Sequence, residues 1–201
     1  MNLNLTPDPA RALVVVELGS PNTRPVVVTR SAGGGPAVPL RNGSPMPDLA
    51  TRLEDSEAPF GVPLVYTATD ATGAVATAAT RLDVDRPRLD HPGLAALGTW
   101  VRIVDDTPPA WESPTAVHLV IGRRDPITTA QPLRTRAGVL TLAVADLAEL
   151  DRLLALCQSG LPVLLRTPCA DLFRDGWLAV LRVADASVMP TITSGNTNAP
   201  T

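Results

Sequence analysis

The residue types best suited to proton transfer are scarce in this chain of 201 residues, which contains two histidines. His118 lies in a stretch where two sets of residues alternate, so we expect a half-buried histidine on a strand with its ring nitrogens hydrogen-bonded. His91 lies beside Asp90 in a proline-rich stretch that predicts no helix or strand to hold it. A hydrolytic triad needs a nucleophile, a base and an orienting acid, and neither GxSxG nor HExxH occurs here. The sequence therefore predicts no catalytic residue.

The two cysteines are Cys157 and Cys169, too few for a disulfide framework and without CxxC spacing. Cys157 falls on the apolar face of a predicted helix, where burial raises the pKa of a thiol and makes it a small hydrophobe. Cys169 falls in a predicted loop with no base placed beside it. A bridge between the two would cross from helix to loop, and the sequence leaves that pairing open.

Two further patterns resemble ligand sites without completing them. Asp83 and Asp85 share one side of a predicted strand and, with Asp90, offer carboxylates for calcium, but no EF-hand spacing follows. We interpret them as solvated acids at a strand end. Gly33–Gly35 lacks the Lys-Ser/Thr ending of a phosphate-binding loop, which favours a flexible hairpin tip. The sequence predicts neither a metal nor a cofactor.

Composition argues against several binding partners. The chain has 17 basic and 20 acidic residues, a net charge of −3 and no basic block, which is atypical of proteins that bind nucleic acid or anionic membranes. Aromatic residues make up 3%, few for stacking on bases or sugars, and Trp177 alternates with Ala179 and Leu181 as a core residue would. No apolar stretch is long enough to span a membrane. The first residues do not resemble a signal peptide, so we expect the product to stay in its cell or to leave by lysis.

The first part of the chain predicts an all-β module. There are 21 prolines, which excludes a helical bundle. Residues 12–18 and 25–30 predict two sequential, antiparallel strands, and a short strand is expected near Val38. Residues 62–69 and 74–84 predict a hairpin around the turn 70–73. Turns at this spacing are typical of a β-sandwich, which we assign to residues 1–85.

The second part predicts an α+β module. Residues 86–114 are interpreted as a linker containing one strand. Strands are then expected at 116–121 and 138–144, a helix at 146–158, and strands at 162–167 and 177–183. The helix has Asp146 as N-cap, Glu149 completing a capping box and Gly160 as C-cap residue, with an apolar face of Leu147, Leu150, Leu154 and Cys157. Residues 115–186 thus predict a β-β-α-β-β domain, followed by a polar tail at 187–201. The expected fold class is mainly β with one helix.

Several residue strings resemble a known family. EDSEAPFGVPLVY, from Glu54 to Tyr66 and continuing to Asp70 and Gly73, resembles the last hairpin of fibronectin-type-III-like modules and is similar to the start of minor tail proteins of actinobacterial tailed phages. The strand VVVTR at 26–30 matches an upstream strand of the same modules. In the second half, GRRDP at 122–126, RAGVLTL at 136–142, the Leu-rich helix and LPVLLRTP at 161–168 follow one another as in those proteins. Their order is similar to the split-barrel core of distal tail proteins.

This resemblance implies a virion structural protein of the phage tail tip, made in the host cytoplasm and located in the virion. It implies a homo-oligomeric ring around the tail channel, with tail tube, tape-measure, hub and receptor-binding proteins as partners. Leu153 and Leu156, flanking the predicted helix face, are candidate subunit contacts or core residues, and both interpretations stay open. The alternative functions are a non-catalytic cell-surface or carbohydrate-binding module and, third, an intracellular enzyme dependent on His118 or Cys169.

Overall fold

The computed structural model describes residues 1–19, 23–41, 43–46, 51–106, 110–112, 115–118, 127–130, 135–168, 176–180 and 182–184, with backbone alone for those from 106 to 137. The protein is mainly β with one α-helix, as the sequence predicts. Among the described residues, neither helical segment combines the length and apolarity that crossing a bilayer requires.

Two antiparallel sheets form the first unit. Their strands are β1 (Asn2–Asp8), β2 (Leu13–Gly19), β3 (Val27–Ala32), β4 (Val38–Pro39), β5 (Arg52–Asp55), β6 (Pro63–Thr69) and β7 (Val75–Arg81). One sheet has the order β1-β2-β5 and the other β4-β3-β6-β7. Apolar side chains of both sheets meet in one core, which includes Val14, Val16, Val28, Leu64 and Tyr66. The two layers therefore form a sandwich around a shared interior.

The two strands predicted at 12–18 and 25–30 are present but belong to different sheets. β2 lies between β1 and β5, while β3 lies between β4 and β6. The reason is β1, which pairs with β2 over its full length after a turn in which Ala12 N–H donates to the Pro9 carbonyl. The predicted hairpin is confirmed, because β6 pairs with β7 from Pro63 opposite Arg81 to Thr69 opposite Val75. The short strand at Val38 is also confirmed.

A buried polar cluster joins three strands of the sandwich. Asp55 on β5 accepts hydrogen bonds from Arg30 Nη1 at 2.6 Å and from the Tyr66 hydroxyl at 2.8 Å. Arg30 and Tyr66 lie on β3 and β6, in the opposite sheet. Burial and then the neighbouring Asp55 carboxylate raise the pKa of Tyr66, so it remains a neutral donor. Asp55 therefore links the two layers through hydrogen bonds as well as through apolar packing.

The second unit contains the remaining elements. They are β8 (Arg88–Asp90), a 3-10 helix (Pro92–Leu97), β9 (Thr99–Trp100), β10 (Arg102–Asp106), β11 (Ala110–Glu112), β12 (Thr115–His118), β13 (Ile127–Ala130), β14 (Thr135–Ala137), β15 (Leu140–Ala143), α1 (Leu147–Gln158), β16 (Val163–Arg166) and β17 (Gly176–Leu178). An antiparallel sheet has the order β17-β16-β8-β9. Its core contains Leu89, Val101, Leu156, Val163 and Leu165.

Residues 86–114 hold more structure than the linker with one strand that the sequence predicts. They contribute β8, the 3-10 helix, β9, β10 and β11. Leu89 and Val101 are buried in the second core, so this stretch is part of the unit rather than a connection to it. The strands here are only two to five residues long and lie among prolines, which hides the period-two pattern by which a strand is recognised.

The predicted helix is confirmed, with its expected caps. Asp146 accepts from the Glu149 N–H at 2.7 Å, and the Glu149 carboxylate accepts from the Ala145 N–H at 2.9 Å. Gly160 has the left-handed φ of 71° expected after a helix end. The buried face differs from the prediction: Leu156 is fully buried, whereas Leu147 is 66% exposed. Leucines surround much of this short helix, so spacing alone did not identify the face that meets the sheet.

Candidate functional site

A two-stranded β-ribbon extends the second unit. β10 pairs with β15, β11 with β14 and β12 with β13, all antiparallel. The pairs are nested in the sequence, from Arg102 opposite Ala143 to His118 opposite Ile127, which is the order that the segments of one hairpin would have. We call this ribbon the arm, with β10, β11 and β12 as its outgoing strand and β13, β14 and β15 as its returning strand. The outgoing segments of 5, 3 and 4 residues span about 40 Å of strand at about 3.3 Å per residue.

Among the described residues, the apolar support of the arm lies at its base. Leu140, Leu142 and Val144 pack against the second core. Beyond the base, the substantial contacts made by the described strands are those across the ribbon itself. Such a ribbon has two open edges of backbone N–H and C=O groups, and an isolated two-stranded pairing is marginally stable in water. The described part of the arm therefore has backbone hydrogen-bonding groups that no other described strand pairs with.

The two strands of the arm differ in charge. Along the outgoing strand there are three acidic residues and one arginine, and along the returning strand there is one arginine and no acidic residue. These are Arg102, Asp105, Asp106 and Glu112 on the outgoing strand and Arg136 on the returning strand. The sequence of the outgoing strand is therefore net acidic, and that of the returning strand has a single basic residue.

A second open edge lies on the sheet of the second unit. β17 is the terminal strand and pairs with β16 through Val163 opposite Leu178 and Leu164 opposite Trp177. Among the described residues no strand pairs with its other side, which we call the open edge. Trp177, predicted to be a core residue, is instead 44% exposed, and Leu178 is 37% exposed. The alternation of residue types along β17 distinguishes the two faces of the strand. The sheet order adds that this strand is terminal and incompletely covered.

Two side chains contact the Trp177 ring on this strand. The Arg41 guanidinium lies 5.6 Å from the ring centroid of Trp177, within the range of a cation–π contact. The His91 ring meets Trp177 edge-on, with 5.8 Å between centroids. Arg41 also pairs through Nε with Glu57 at 2.6 Å, so its charge is balanced within the chain.

His91 is held more firmly than its proline-rich surroundings predict. It is the N-cap of the 3-10 helix, where its Nδ1 accepts from the Gly93 N–H at 3.0 Å. The ring also contacts Trp177. The prediction that no helix or strand holds this histidine is therefore wrong, because a six-residue 3-10 helix starts directly after it.

The two units are joined by a buried ion cluster. Arg166 on β16 is 1% exposed and donates to the carbonyl oxygens of Ala12 at 2.8 Å and Ala58 at 3.0 Å. Its other terminal nitrogen donates to Asp90 at 2.5 Å, and Asp90 also accepts from Arg88 Nε at 3.1 Å. We call Arg88, Asp90 and Arg166 the joint. It sets the position of the sheet that carries the open edge relative to the sandwich.

Aromatic rings and a glycine complete the surroundings of the joint. The Arg166 guanidinium lies 4.6 Å from the Phe60 ring centroid, and that of Arg88 lies 4.8 Å from the Trp100 centroid. Burial lowers the pKa of Arg88, and the Asp90 carboxylate acts in the opposite direction. A Cβ atom on Gly98 would overlap the Arg88 guanidinium, so a larger residue here would force that side chain out of its position in the joint.

The carboxylates proposed as calcium ligands are separated by these interactions. Asp90 belongs to the joint, whereas Asp83 and Asp85 are exposed and pair with Arg81 and Arg86. The described residues contain no group of three or more His, Cys, Asp or Glu arranged to hold a metal. A cavity of about 300 Å³ lies beside the joint and is lined by charges of both signs. Its charged lining residues are Arg11, Arg88, Asp90, Glu149 and Arg152.

The remaining predicted residues have three outcomes. Leu156 is fully buried and the partly buried Leu153 packs against the same core, so both lie at the core of the second unit, and their role as subunit contacts stays a prediction. Cys157 is half-buried and burial raises its pKa, as expected. Gly33 and Gly34 have left-handed φ values of 57° and 78° with open space around them, as a hairpin tip requires. Cys169 and the side chain of His118 lie outside the described part of the chain.

The sequence predicts some of the strands of the arm but not how they pair. It predicted strands at 116–121 and 138–144, but not their partners, and residues 119–121 lie outside the described residues. The segment Ala110–Glu112 was missed because Pro109 and Pro114 flank it. Comparison with known proteins finds no family model, no curated protein and no solved structure that matches the chain.

Proposed function

We propose that this protein is a structural subunit of a phage tail tip, a minor or distal tail protein that assembles with copies of itself around the tail channel. The observation that carries the proposal is the arm, a β-ribbon packed at its base whose outer segments, within the described residues, make their substantial contacts across the ribbon. A ribbon of this kind gains stability when another strand or surface covers it. The family resemblance of the sequence supplies the context, a virion in which such subunits form rings.

The joint supports a structural role. Arg166 connects β16 to two backbone carbonyls of the sandwich and to Asp90, all within a buried environment. The two buried hydrogen bonds from Arg166 to the sandwich carbonyls restrict rotation between the two units. If the arm and the open edge keep the same orientation relative to each other, each subunit places its neighbour at the same angle. A constant angle between neighbours is the condition for a closed ring. The tail tube, tape-measure, hub and receptor-binding proteins are its proposed neighbours in the virion.

The experiment that tests this proposal measures assembly directly. Light scattering after size-exclusion chromatography is expected to give a mass that is a multiple of the 21.0 kDa chain. Negative-stain images of that peak are expected to show closed rings with a central channel. A constant mass of 21.0 kDa at every protein concentration would overturn self-assembly as the function.

One observation favours a second candidate, the carbohydrate-binding module. Trp177 is 44% exposed on a rigid strand, with Arg41 near its ring, and an exposed tryptophan provides an apolar face with a polar handle. A glycan-array signal lost in Trp177→Ala would support that function. Loss in Trp111→Ala would instead place sugar binding on the arm, where β11 carries Trp111.

A further inference from the structure

We propose that the cavity beside the joint binds a phosphate group that still carries a proton, either as inorganic phosphate or as the end of a small phosphate monoester. The cavity has a volume of about 300 Å³, and both units of the chain form its walls. The sandwich contributes Ala10, Leu13 and Ser56, whereas the second unit contributes the 3-10 helix, Trp100 and the first two turns of α1. A ligand in the cavity therefore lies between the two units, and the inference is independent of assembly of the tail tip.

The joint beside the cavity has more positive than negative charge. The side chains of Arg88 and Arg166 are 9% and 1% exposed, and both donate to the same oxygen of Asp90, Oδ2. Two buried guanidinium groups thus share the charge of one carboxylate, and a buried charge without a counter-ion is unfavourable. Arg11 also lines the cavity, but both of its terminal nitrogens donate to Glu54, so its charge is balanced.

α1 adds one further cation and one carboxylate to the wall of the cavity. Arg152 forms no ion pair within the described part of the chain. It lies near Arg88, since burial is the largest cause of the lowered pKa of Arg88 and the charge of Arg152 acts in the same direction. Glu149, three residues earlier, brings a carboxylate. The three arginines and two carboxylates of the joint and α1 leave a net charge of +1, which suits a ligand with one negative charge.

The second oxygen of Asp90 requires a hydrogen-bond donor. Asp90 lines the cavity and is 4% exposed, and its Oδ1 has no hydrogen-bond partner among the described residues. A buried acceptor without a partner is destabilising. A protonated phosphate has both of the groups that this site lacks, because its unprotonated oxygens accept from guanidinium groups and its hydroxyl donates to a carboxylate. Sulfate and carboxylate ions offer acceptors alone.

Sulfate is the matched probe, because it has the tetrahedral shape of phosphate and a larger negative charge at about pH 6 but no proton. Isothermal titration calorimetry of the full chain at constant ionic strength is expected to show phosphate binding at least about tenfold more tightly than sulfate. An interaction governed by charge alone gives the opposite order. Equal affinities, tighter binding of sulfate, or no saturable binding of phosphate would overturn the proposal.

Arg152→Gln tests the position of the site. Arg152 is exposed on α1, so the fold is expected to persist by circular dichroism, while phosphate affinity is expected to fall about tenfold. Arg81→Gln is the matched control, since Arg81 is an exposed arginine of the sandwich that does not line the cavity, and its affinity is expected to be unchanged. Equal losses in the two variants would show that phosphate responds only to the net charge of the protein, and the site would be wrong.

The pH dependence distinguishes the two sources of the phosphate group. A monoester loses its last proton with a pKa of about 6, as phosphorylated side chains do, whereas inorganic phosphate keeps one proton well above that pH. Glycerol phosphate is therefore expected to lose more than tenfold in affinity between about pH 5.5 and about pH 7.5. Tighter binding of glycerol phosphate than of inorganic phosphate at the lower pH assigns the site to a monoester, and the reverse order assigns it to the free ion.

The same titration with sulfate controls for His91, which also lines the cavity and is a residue type that titrates in this range. Sulfate has no proton to lose here, so any change in its affinity reports the charge of the protein. A loss for glycerol phosphate no larger than that for sulfate would show that the ligand proton is not used, and would contradict the role of Asp90 Oδ1.

Discussion

Arg166 donates from Nη1 to the carbonyl oxygen of Ala12 across a distance of 2.8 Å, although the two residues are 154 positions apart in the chain. The contact brings the second unit onto the turn between β1 and β2. Asp90 neutralises the arginine, and Ala58 provides another carbonyl acceptor. A long-range contact with this degree of burial fixes how the sandwich and the arm-bearing unit are oriented.

Replacement of Arg166 by methionine is expected to destabilise the protein by about 3–5 kcal/mol, because the change leaves the Asp90 carboxylate buried without its strongest partner. The free energy of unfolding in urea measures the effect. The triple variant Arg166→Met, Asp90→Leu and Arg88→Met is expected to recover much of the loss, since it removes all three buried charges of the joint. Equal destabilisation in the single and triple variants would show that the carbonyl contacts, rather than the ion pairs, dominate.

Arg166→Lys provides a separate test of geometry. A lysine ammonium keeps the charge but lacks the planar fork that reaches Asp90 and the two carbonyls together. We therefore expect Arg166→Lys to be less stable than the original protein and more stable than Arg166→Met in the same urea titration.

Asp70 is expected to make the free energy of unfolding depend on pH in the acid range. Its carboxylate accepts from the Thr72 hydroxyl at 2.6 Å and from the backbone N–H groups of Thr23, Thr72 and Ala74. The hydroxyl bond is the largest contribution, and together these donors lower the pKa of Asp70 to about 2 from an ordinary value of 3.8. Because the folded pKa lies below the unfolded one, the stabilisation is fully present above about pH 4 and is lost as pH falls toward 2.

The measurement is the free energy of unfolding between pH 7 and pH 2 for the original protein and Asp70→Asn. The asparagine variant is expected to be less stable near neutral pH and to approach the original protein in acid, since it has no proton to bind there. Asp83→Asn is the control, because the Asp83 side chain is 69% exposed. A difference between Asp70→Asn and the original protein that stays constant across this range would contradict the assignment.

Gly98→Ala is expected to destabilise by about 1–3 kcal/mol, since the added methyl group overlaps the Arg88 guanidinium in a packed site. Thermal unfolding measures the change. Arg88→Ala removes the group that the methyl meets, so Gly98→Ala is expected to cost much less in that background. An equal cost in both backgrounds would assign the effect to the backbone of Gly98 instead.

Leu156→Ala and Leu147→Ala form a matched pair on α1. Leu156 is fully buried, so its truncation is expected to cost about 2–5 kcal/mol, whereas Leu147 is 66% exposed and its truncation is expected to change stability by no more than about 0.5 kcal/mol. The loss at Leu156 is expected to be independent of protein concentration, as for a core residue. A loss that grows on dilution would return Leu156 to the role of subunit contact.

The sequence was most informative where local signals agreed with each other. Asp146, Glu149 and Gly160 specify the ends of α1, and the glycine turn between β6 and β7 specifies a hairpin. Both features are decided within about a dozen neighbouring residues, which is why periodicity and capping patterns identify them.

Pairing between distant segments is not encoded locally, and it accounts for the differences. The partners of β2 depend on β1 and β5, and the position of β17 at a sheet end depends on β16 and β8. Alternation in Trp177–Leu181 gives two sides of a strand but no information on what covers either side. The role of Arg166 was also missed, because its acceptors Ala12 and Ala58 are backbone carbonyls with no signature in the sequence.

The arm follows β9, and the open edge is β17, at the other end of the same four-stranded sheet. Within the described residues the two ends of this sheet therefore differ chemically: one continues into a ribbon, whereas the other ends in a strand with Trp177 and Leu178 partly exposed. A substitution at Leu178 can thus change one end of the sheet and leave the other as it is.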